Sequence, residues 1–125
     1  MVDAGRHTSL FEIQRHEKKS KLTSKVWARA LEEGDALAVE LFDMAIEVVA
    51  GGIGSVINMV DVQLVVIGGG MAEKLGQDLA DRIDQQARPW ILHPSPKLKF
   101  VVAALGDDSG IVGAASIGRA RLLYT

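Results

Sequence analysis

No cysteine occurs in the 125 residues. That excludes a disulfide framework and any thiolate metal site, and it fits a reducing cytoplasm, which is the expected location. Aromatic residues make up only 5% of the chain. Neither Trp27 nor Trp90 lies in a basic, aromatic-interleaved stretch, so both read as packing residues and not as a stacking platform for bases. A dominant charge is also missing. The formal net charge is -2, with seven basic and five acidic residues in 1–34 against seven and eleven in 35–125. A mildly basic N-terminal part is an ordinary solvated helix face, so no nucleic-acid partner is expected.

Long apolar runs are lacking too. The richest, Met44 to Val60, is interrupted by Glu47, three glycines and Asn58, which argues against a membrane span. Met1 is followed by Asp3, Arg6 and His7 in place of an apolar core, so no secretory signal is expected. His7, His16 and His93 are scattered without ligand spacing, so no metal site is expected. No glycine precedes a Lys followed by Ser or Thr, which excludes a P-loop. No nucleophile stands beside a base at a convincing spacing, and no residue is nominated as catalytic.

What the chain does have is apolar content and glycine. At 48% hydrophobic it can form one core, with no length for two. Its most telling stretch is Leu64 to Met71, Leu-Val-Val-Ile-Gly-Gly-Gly-Met. Apolar residues without alternation predict a strand buried on both faces, as in a parallel sheet covered by helices. Burial of Val65, Val66 and Ile67 is expected to contribute roughly 1.5 to 3 kcal/mol each. The three glycines permit positive φ and a close approach of another element or a ligand.

Residues 1 to 8 lack periodicity and read as irregular. Leu10, Phe11 and Ile13 predict a short helix to about Glu17, and Lys18 to Lys21 a charged connection. Thr23 or Ser24 is expected to cap a second helix with Val26, Trp27, Ala30 and Leu31 on one face and Gly34 as its stop. Asp35 suits the N-cap of a long third helix, its carboxylate meeting orphan N–H groups and the positive end of the dipole. The three-and-four spacing of Ala38, Leu41, Phe42, Ala45, Ile46, Val49, Gly52, Ile53, Val56, Ile57 and Val60 describes one broad buried face. Gly51, Gly52 and Gly54 cost about 1 kcal/mol each in a helix relative to alanine. They imply either a close neighbour or a break near Gly51.

After the first strand, Leu75, Leu79, Ile83 and Ala87 predict a helix from about Lys74 to Arg88, ended by Pro89, with Pro94 and Pro96 in the connection beyond. Lys99 to Leu105 reads as a second buried strand. Gly106, Asp107 and Asp108 then turn the chain into a last helix, Ser109 to about Leu122, with Arg119 and Arg121 near its negative end. Strand, helix, strand, helix predicts parallel pairing through a crossover. In a parallel pair the loops Gly68 to Glu73 and Gly106 to Ser109 open at the same carboxyl edge, where open α/β sheets bind ligands. The glycines serve there as a tight turn or as a ligand surface, and Asp107 and Asp108 as helix caps or as site carboxylates. The pattern Gly68-x-Gly70-x-x-Glu73 misses the third glycine of the dinucleotide fingerprint, and no acid closes a second strand about 20 residues on, which rejects a Rossmann site.

These residues also resemble a known family. Val65-Val66-Ile67-Gly68-Gly69-Gly70-Met71-Ala72-Glu73, preceded by a small-residue helix ending Ile57-Asn58-Met59-Val60-Asp61, is similar to the C-terminal part of ROK proteins. That family comprises bacterial sugar kinases, glucokinase foremost, and related sugar-responsive repressors. Ala104-Leu105-Gly106-Asp107-Asp108-Ser109-Gly110-Ile111-Val112-Gly113-Ala114-Ala115 is similar to the family's closing motif. Gly5-Arg6-His7-Thr8 and Leu22-Thr23-Ser24-Lys25-Val26-Trp27-Ala28-Arg29-Ala30 look most like glucokinase members. Val62 departs from the proline that many members carry after the aspartate.

The resemblance implies an α/β fold, part of an actin-like, ribonuclease H-like ATPase domain, with parallel strands, covering helices and an N-terminal helical segment. Residues 1–34 would be a helical lead-in segment, and 35–125 the C-terminal α/β part of the nucleotide-binding lobe of a single incomplete domain. It implies that Gly68, Gly69, Gly70, Met71 and Glu73 face the adenosine side of ATP. ATP with Mg2+ and a hexose would be the ligands of the parent enzyme, which would be a homodimer. The family's phosphate loop, catalytic aspartate and histidine and cysteine zinc site have no counterpart in these residues. The isolated chain is therefore expected to be inactive. A regulator of the same family, with a helix-turn-helix ahead of this region, or a structural and dimerisation module without a ligand site, are the alternatives.

Overall fold

The computed structural model describes residues 7–123, apart from the side chains of Asp107 and Leu123. The expectations for residues 1 to 6, Gly5 and Arg6 included, lie outside the described residues. Helices α1 (Leu10–His16), α2 (Ser24–Glu32) and α3 (Ala36–Val60) come first, then strand β1 (Leu64–Ile67). Helices α4 (Gly70–Leu75) and α5 (Gln77–Ala87) lead through a 3-10 turn, Arg88–Trp90, to strand β2 (Lys99–Val102). A second 3-10 turn, Gly106–Asp108, opens α6 (Ser109–Leu123).

Asp35 is the N-cap of α3, as its position suggests. Its carboxylate accepts the Ala38 N–H at 2.7 Å. It also accepts the Ser9 N–H at 2.6 Å, the Ser9 hydroxyl at 3.1 Å and the Thr8 hydroxyl at 3.2 Å. One side chain thus closes α3 and fastens the segment before α1 onto it. Leu10, Ile13, Val26, Ala30 and Ala38 form the small core beneath. At α2, Thr23 stands in the N-cap position with extended backbone, but its hydroxyl makes no capping bond. Its Oγ1 is buried without a hydrogen-bond partner among the described residues.

Helix α3 runs through its glycines without the break considered at Gly51, and the close neighbour is the reason. A β-carbon on Gly54 would lie 2.5 Å from the Trp90 β-carbon, and one on Gly51 3.7 Å from the Trp90 ring. Asn58 closes the same junction. Its Nδ2 donates to the Trp90 carbonyl at 2.8 Å and its Oδ1 accepts the Leu92 N–H at 2.9 Å. The predicted face of α3 is only partly covered: of its members Ala38, Ile46 and Ile57 are buried, whereas Val49, Val56 and Val60 are exposed, and the buried side runs instead through Ala50 and Gly54, which the spacing did not include.

The strands pair in parallel, with Leu64 opposite Lys99 and Ile67 opposite Val102. Strand β2 stops at Val102 and does not continue to Leu105. One face of the pair packs Val65, Ile67, Phe100 and Val102 against α3 and α5, around Ile46, Ile57, Leu79 and Ile83. The other face is open in this chain. Leu64 and Val66 are each 55% exposed, so burial on both faces does not hold, and Val66 does not contribute the transfer energy expected of it. The single helix predicted from Lys74 to Arg88 is two helices, because Gly76 at φ 61° and ψ -147° breaks the spiral between Leu75 and Gln77. Gln77 Nε2 then donates to the Phe100 carbonyl at 3.0 Å and holds the start of α5 to β2. Among its described residues α6 buries no side chain, and Ile111, Ile117 and Leu122 are exposed.

Two measurements follow from these contacts. Alanine at Gly52, where a β-carbon meets open space, is expected to raise unfolding free energy by up to about 1 kcal/mol through helix propensity. Alanine at Gly54 meets Trp90 and is expected to lower it by about 1–3 kcal/mol. Thermal melts of the two variants check the opposite signs. For Asp35, partial burial pushes the carboxyl up, but the N–H groups of Ser9 and Ala38 and the hydroxyls of Ser9 and Thr8 outweigh it, so its pKa lies below the ordinary value. Its contribution is therefore present above the unfolded-state pKa of about 3.9 and is lost as pH falls through the lower folded value. Asp35→Ala is expected to cost about 2 kcal/mol in urea melts at neutral pH, and its deficit relative to wild type to shrink below about pH 4. A deficit of constant size across that range contradicts the role given to the charge.

Candidate functional site

Parallel pairing delivers both strand exits to one rim. The ladder extends one step beyond the strands: the Ala103 N–H donates to the Ile67 carbonyl at 2.8 Å. This bond ties the two exits together at the floor of a cleft of about 240 Å³. From the β1 side it is lined by Gly68, Gly69, Ala72, Glu73 and Gly76. From the β2 side it is lined by Val102, Ala103, Ala104 and Gly106. Ala72 is buried and Val102 and Ala103 half-buried, whereas Gly69, Glu73 and Gly106 are exposed at the rim.

Backbone conformation shapes the rim. Gly69 has φ 100° and ψ 174°, a region that residues with a β-carbon occupy only at a cost of about 1–3 kcal/mol. It lets the chain turn from β1 directly into α4, so the predicted loop Gly68 to Glu73 is a two-residue turn followed by a helix beginning at Gly70. The Glu73 N–H donates to the Gly69 carbonyl at 3.0 Å and the Gly76 N–H to the Ala72 carbonyl at 2.9 Å.

Of the five residues singled out by sequence, Gly68, Gly69 and Glu73 line the cleft. Gly70 and Met71 do not, because they lie on the back of α4. A β-carbon on Gly70 would come within 2.8 Å of the Ser24 hydroxyl. Met71 is half-buried and shares an apolar hollow with Trp27, Leu41, Phe42 and Ala45. These two brace the turn against α2 and α3. Asp108 is also off the cleft, and the side chain of Asp107 lies outside the described residues. Sequence reasoning missed Ala72, Gly76 and the wall Val102 to Ala104. The signal for Gly76 was present in Leu75-Gly76, an ordinary helix stop that the four-residue spacing of Leu75 and Leu79 masked.

Chemically the cleft is bare. Seven of its nine described lining residues are glycine or alanine, and among them Glu73 is the one with an ionisable side chain. A phosphate group needs cations or converging donors, and no lysine or arginine occurs among the described lining residues of this cleft. A flat, neutral ring with hydroxyl or amine donors fits better, since backbone and methyl groups accept its faces and the carboxylate accepts its donors. Pockets that enclose a whole small ligand run to about 300–1,000 Å³, so a cleft of this size holds part of one. In a second hollow, lined by Glu17, Lys25, Arg29 and Lys74 among others, Glu17 meets Lys25 at 2.5 Å and Arg29 at 3.2 Å, and Lys25 foremost holds its carboxyl below the usual range. No group of three or more possible metal ligands occurs among the described residues. No helix among them is long and apolar enough to cross a membrane.

The comparisons with known proteins agree with one another. The N-acetylgalactosamine kinase AgaK of Shewanella sp. (strain ANA-3) is 27% identical over 92 residues, which are 74% of this chain and 29% of that protein. The crystal structure of a candidate sugar kinase from Cytophaga hutchinsonii aligns with a TM-score of 0.64 over 93% of this chain and 36% of its own, at 21% identity, a likeness of fold. The chain thus spans less than two fifths of the length of these relatives. The profile of the ROK family matches residues 8–121, nearly the whole sequence, and this chain belongs to the ROK family.

Proposed function

We propose that this chain is the C-terminal part of the nucleotide-binding lobe of an ATP-dependent, glucokinase-like sugar kinase, and that its glycine-rimmed cleft receives the adenosine side of ATP. The observation that carries the proposal is the meeting of two strand exits in a cleft of backbone and methyl groups whose described lining residues include a carboxylate and no cation. A sugar kinase among the relatives supports the same class of chemistry. In this assignment the domain is actin-like, and Gly68 and Gly69 lie against the nucleoside. Gly70 and Met71 hold the turn from behind. Mg2+, the hexose and the group that takes the proton of the attacking hydroxyl belong to sequence beyond these residues, since phosphoryl transfer needs in-line positioning and a metal that this cleft does not provide.

Titration calorimetry of the 125-residue chain with MgATP tests the proposal. Saturable binding is expected for the wild type. Gly68 has no positive φ, and a β-carbon there makes an ordinary 3.6 Å contact with Ala103. Gly68→Leu is thus expected to fill the cleft and weaken binding by roughly tenfold or more, with little change in melting temperature. Absence of binding to the wild type, or full binding by the variant, refutes the assignment. Incubation with MgATP and glucose is expected to yield no sugar phosphate, because the proton acceptor is placed elsewhere.

A further inference from the structure

The two outer edges of the strand pair are finished differently. Along β2 the carbonyls of Leu98 and Phe100 point away from β1, and side chains close them: Arg88 Nη2 donates to the first at 3.3 Å and Gln77 Nε2 to the second at 3.0 Å. Along β1 the Gln63 and Ile67 carbonyls accept the Lys99 and Ala103 N–H groups. Bonding alternates along a parallel strand, so the N–H and C=O groups of Leu64 and Val66 face outward. Among the described residues no strand pairs on that side. Edge strands are ordinarily guarded by a charge or a proline, and Leu64–Ile67 carries neither. Beside this edge lies a hollow of about 440 Å³, walled by Val49, Gly52, Ile53 and Val56 of α3 and by Val62 and Leu64. No polar side chain occurs among its described lining residues.

Independently of the nucleotide reading, we propose that the outer edge of β1 is an interface between two copies of this chain, in which β1 pairs antiparallel with its own counterpart and the two sheets join into one of four strands. A second copy fits because the edge is complementary to itself. A two-fold axis at Val65 sets Leu64 opposite the copy's Val66, and the four outward groups of each strand then find partners in the other. The same axis turns the apolar stripe of α3 toward its counterpart across the hollow. Val49, Val56, Leu64 and Val66 are each about half exposed, and sealing that side in both copies removes on the order of 1,000 Å², the low end of specific interfaces. The dimer is therefore weak, and its population rises with concentration.

Sedimentation velocity of the full 125-residue chain, loaded from about 5 to 500 μM, is the test. A reversible shift from monomer to dimer is expected. Val66→Pro removes an outward N–H that the chain's own sheet does not use, and Val56→Lys places like charges on the two facing helices. Each is expected to weaken dimerisation tenfold or more. Leu122→Lys, on the exposed α6 away from this edge, is expected to leave it unchanged. Circular dichroism at the lowest concentration establishes that the variants are folded, and Val56→Lys decides if Val66→Pro is not. A wild type that stays monomeric, or that grows past the dimer into larger species, overturns the proposal. Undiminished dimerisation in folded Val56→Lys, or its loss in Leu122→Lys, overturns it as well.

Discussion

Parallel pairing of β1 with β2 is the constraint on which the site depends. Two strands running the same way place both chain exits on one edge, whatever the intervening residues do. Here the bond from the Ala103 N–H to the Ile67 carbonyl carries the pairing beyond the last strand residues. The two turns therefore approach at backbone distance, and the residues at that approach are nearly all glycine and alanine. A larger side chain in either turn would occupy the space between them. The scarcity of large side chains among the described lining residues and the closeness of the strand exits are thus one fact seen from two sides.

The pair of strands is too small to hold its own geometry, since two strands need a covering layer to persist. Helix α3 and helix α5 provide it, and the spacing of that layer is set at one point. Gly54 accepts the Trp90 side chain against bare helix backbone, and Asn58 satisfies the backbone of Trp90 and Leu92 from both ends of one amide. The connection carrying Pro89 is therefore fastened to the C-terminal part of α3 before the chain turns into β2. A helix with alanine at Gly54 would stand farther off and would carry the start of β2 with it.

Much of the architecture was legible in the sequence because it rests on local chemistry. Asp35 as a cap, Gly34 as a helix stop, the long apolar period of α3 and the two strands joined by a helical crossover all follow from propensity and periodicity. What failed to read out depends on tertiary contact or on a dihedral that spacing does not reveal. Leu64 and Val66 look like buried strand residues, yet this chain covers one face of the pair only. The hydrophobic series through Leu75, Leu79 and Ile83 continues across Gly76 although the helix does not, because both helices turn the same kind of residue inward. In the site, Gly68, Gly69 and Glu73 were legible from the strand-glycine junction. Gly70 and Met71 were not, since which side of a short helix faces a cleft is decided by the helix behind it.

That last point explains why α4 holds Glu73 where it does. The helix has only six residues, too few to be stable by itself, and the conformations of Gly69 and Gly76 bound it at both ends. Its orientation must come from contacts on the back. Ser24 of α2 sits against Gly70, and Trp27 and Phe42 share a hollow with Met71. Helix α2 is held in turn by the small core it shares with α1 and with Ala38 of α3. The Asp35 carboxylate fastens the start of α1 to the start of α3. The N-terminal helices, which contribute no residue to the cleft, are therefore the support that keeps a six-residue helix, and the single carboxylate on it, at the rim.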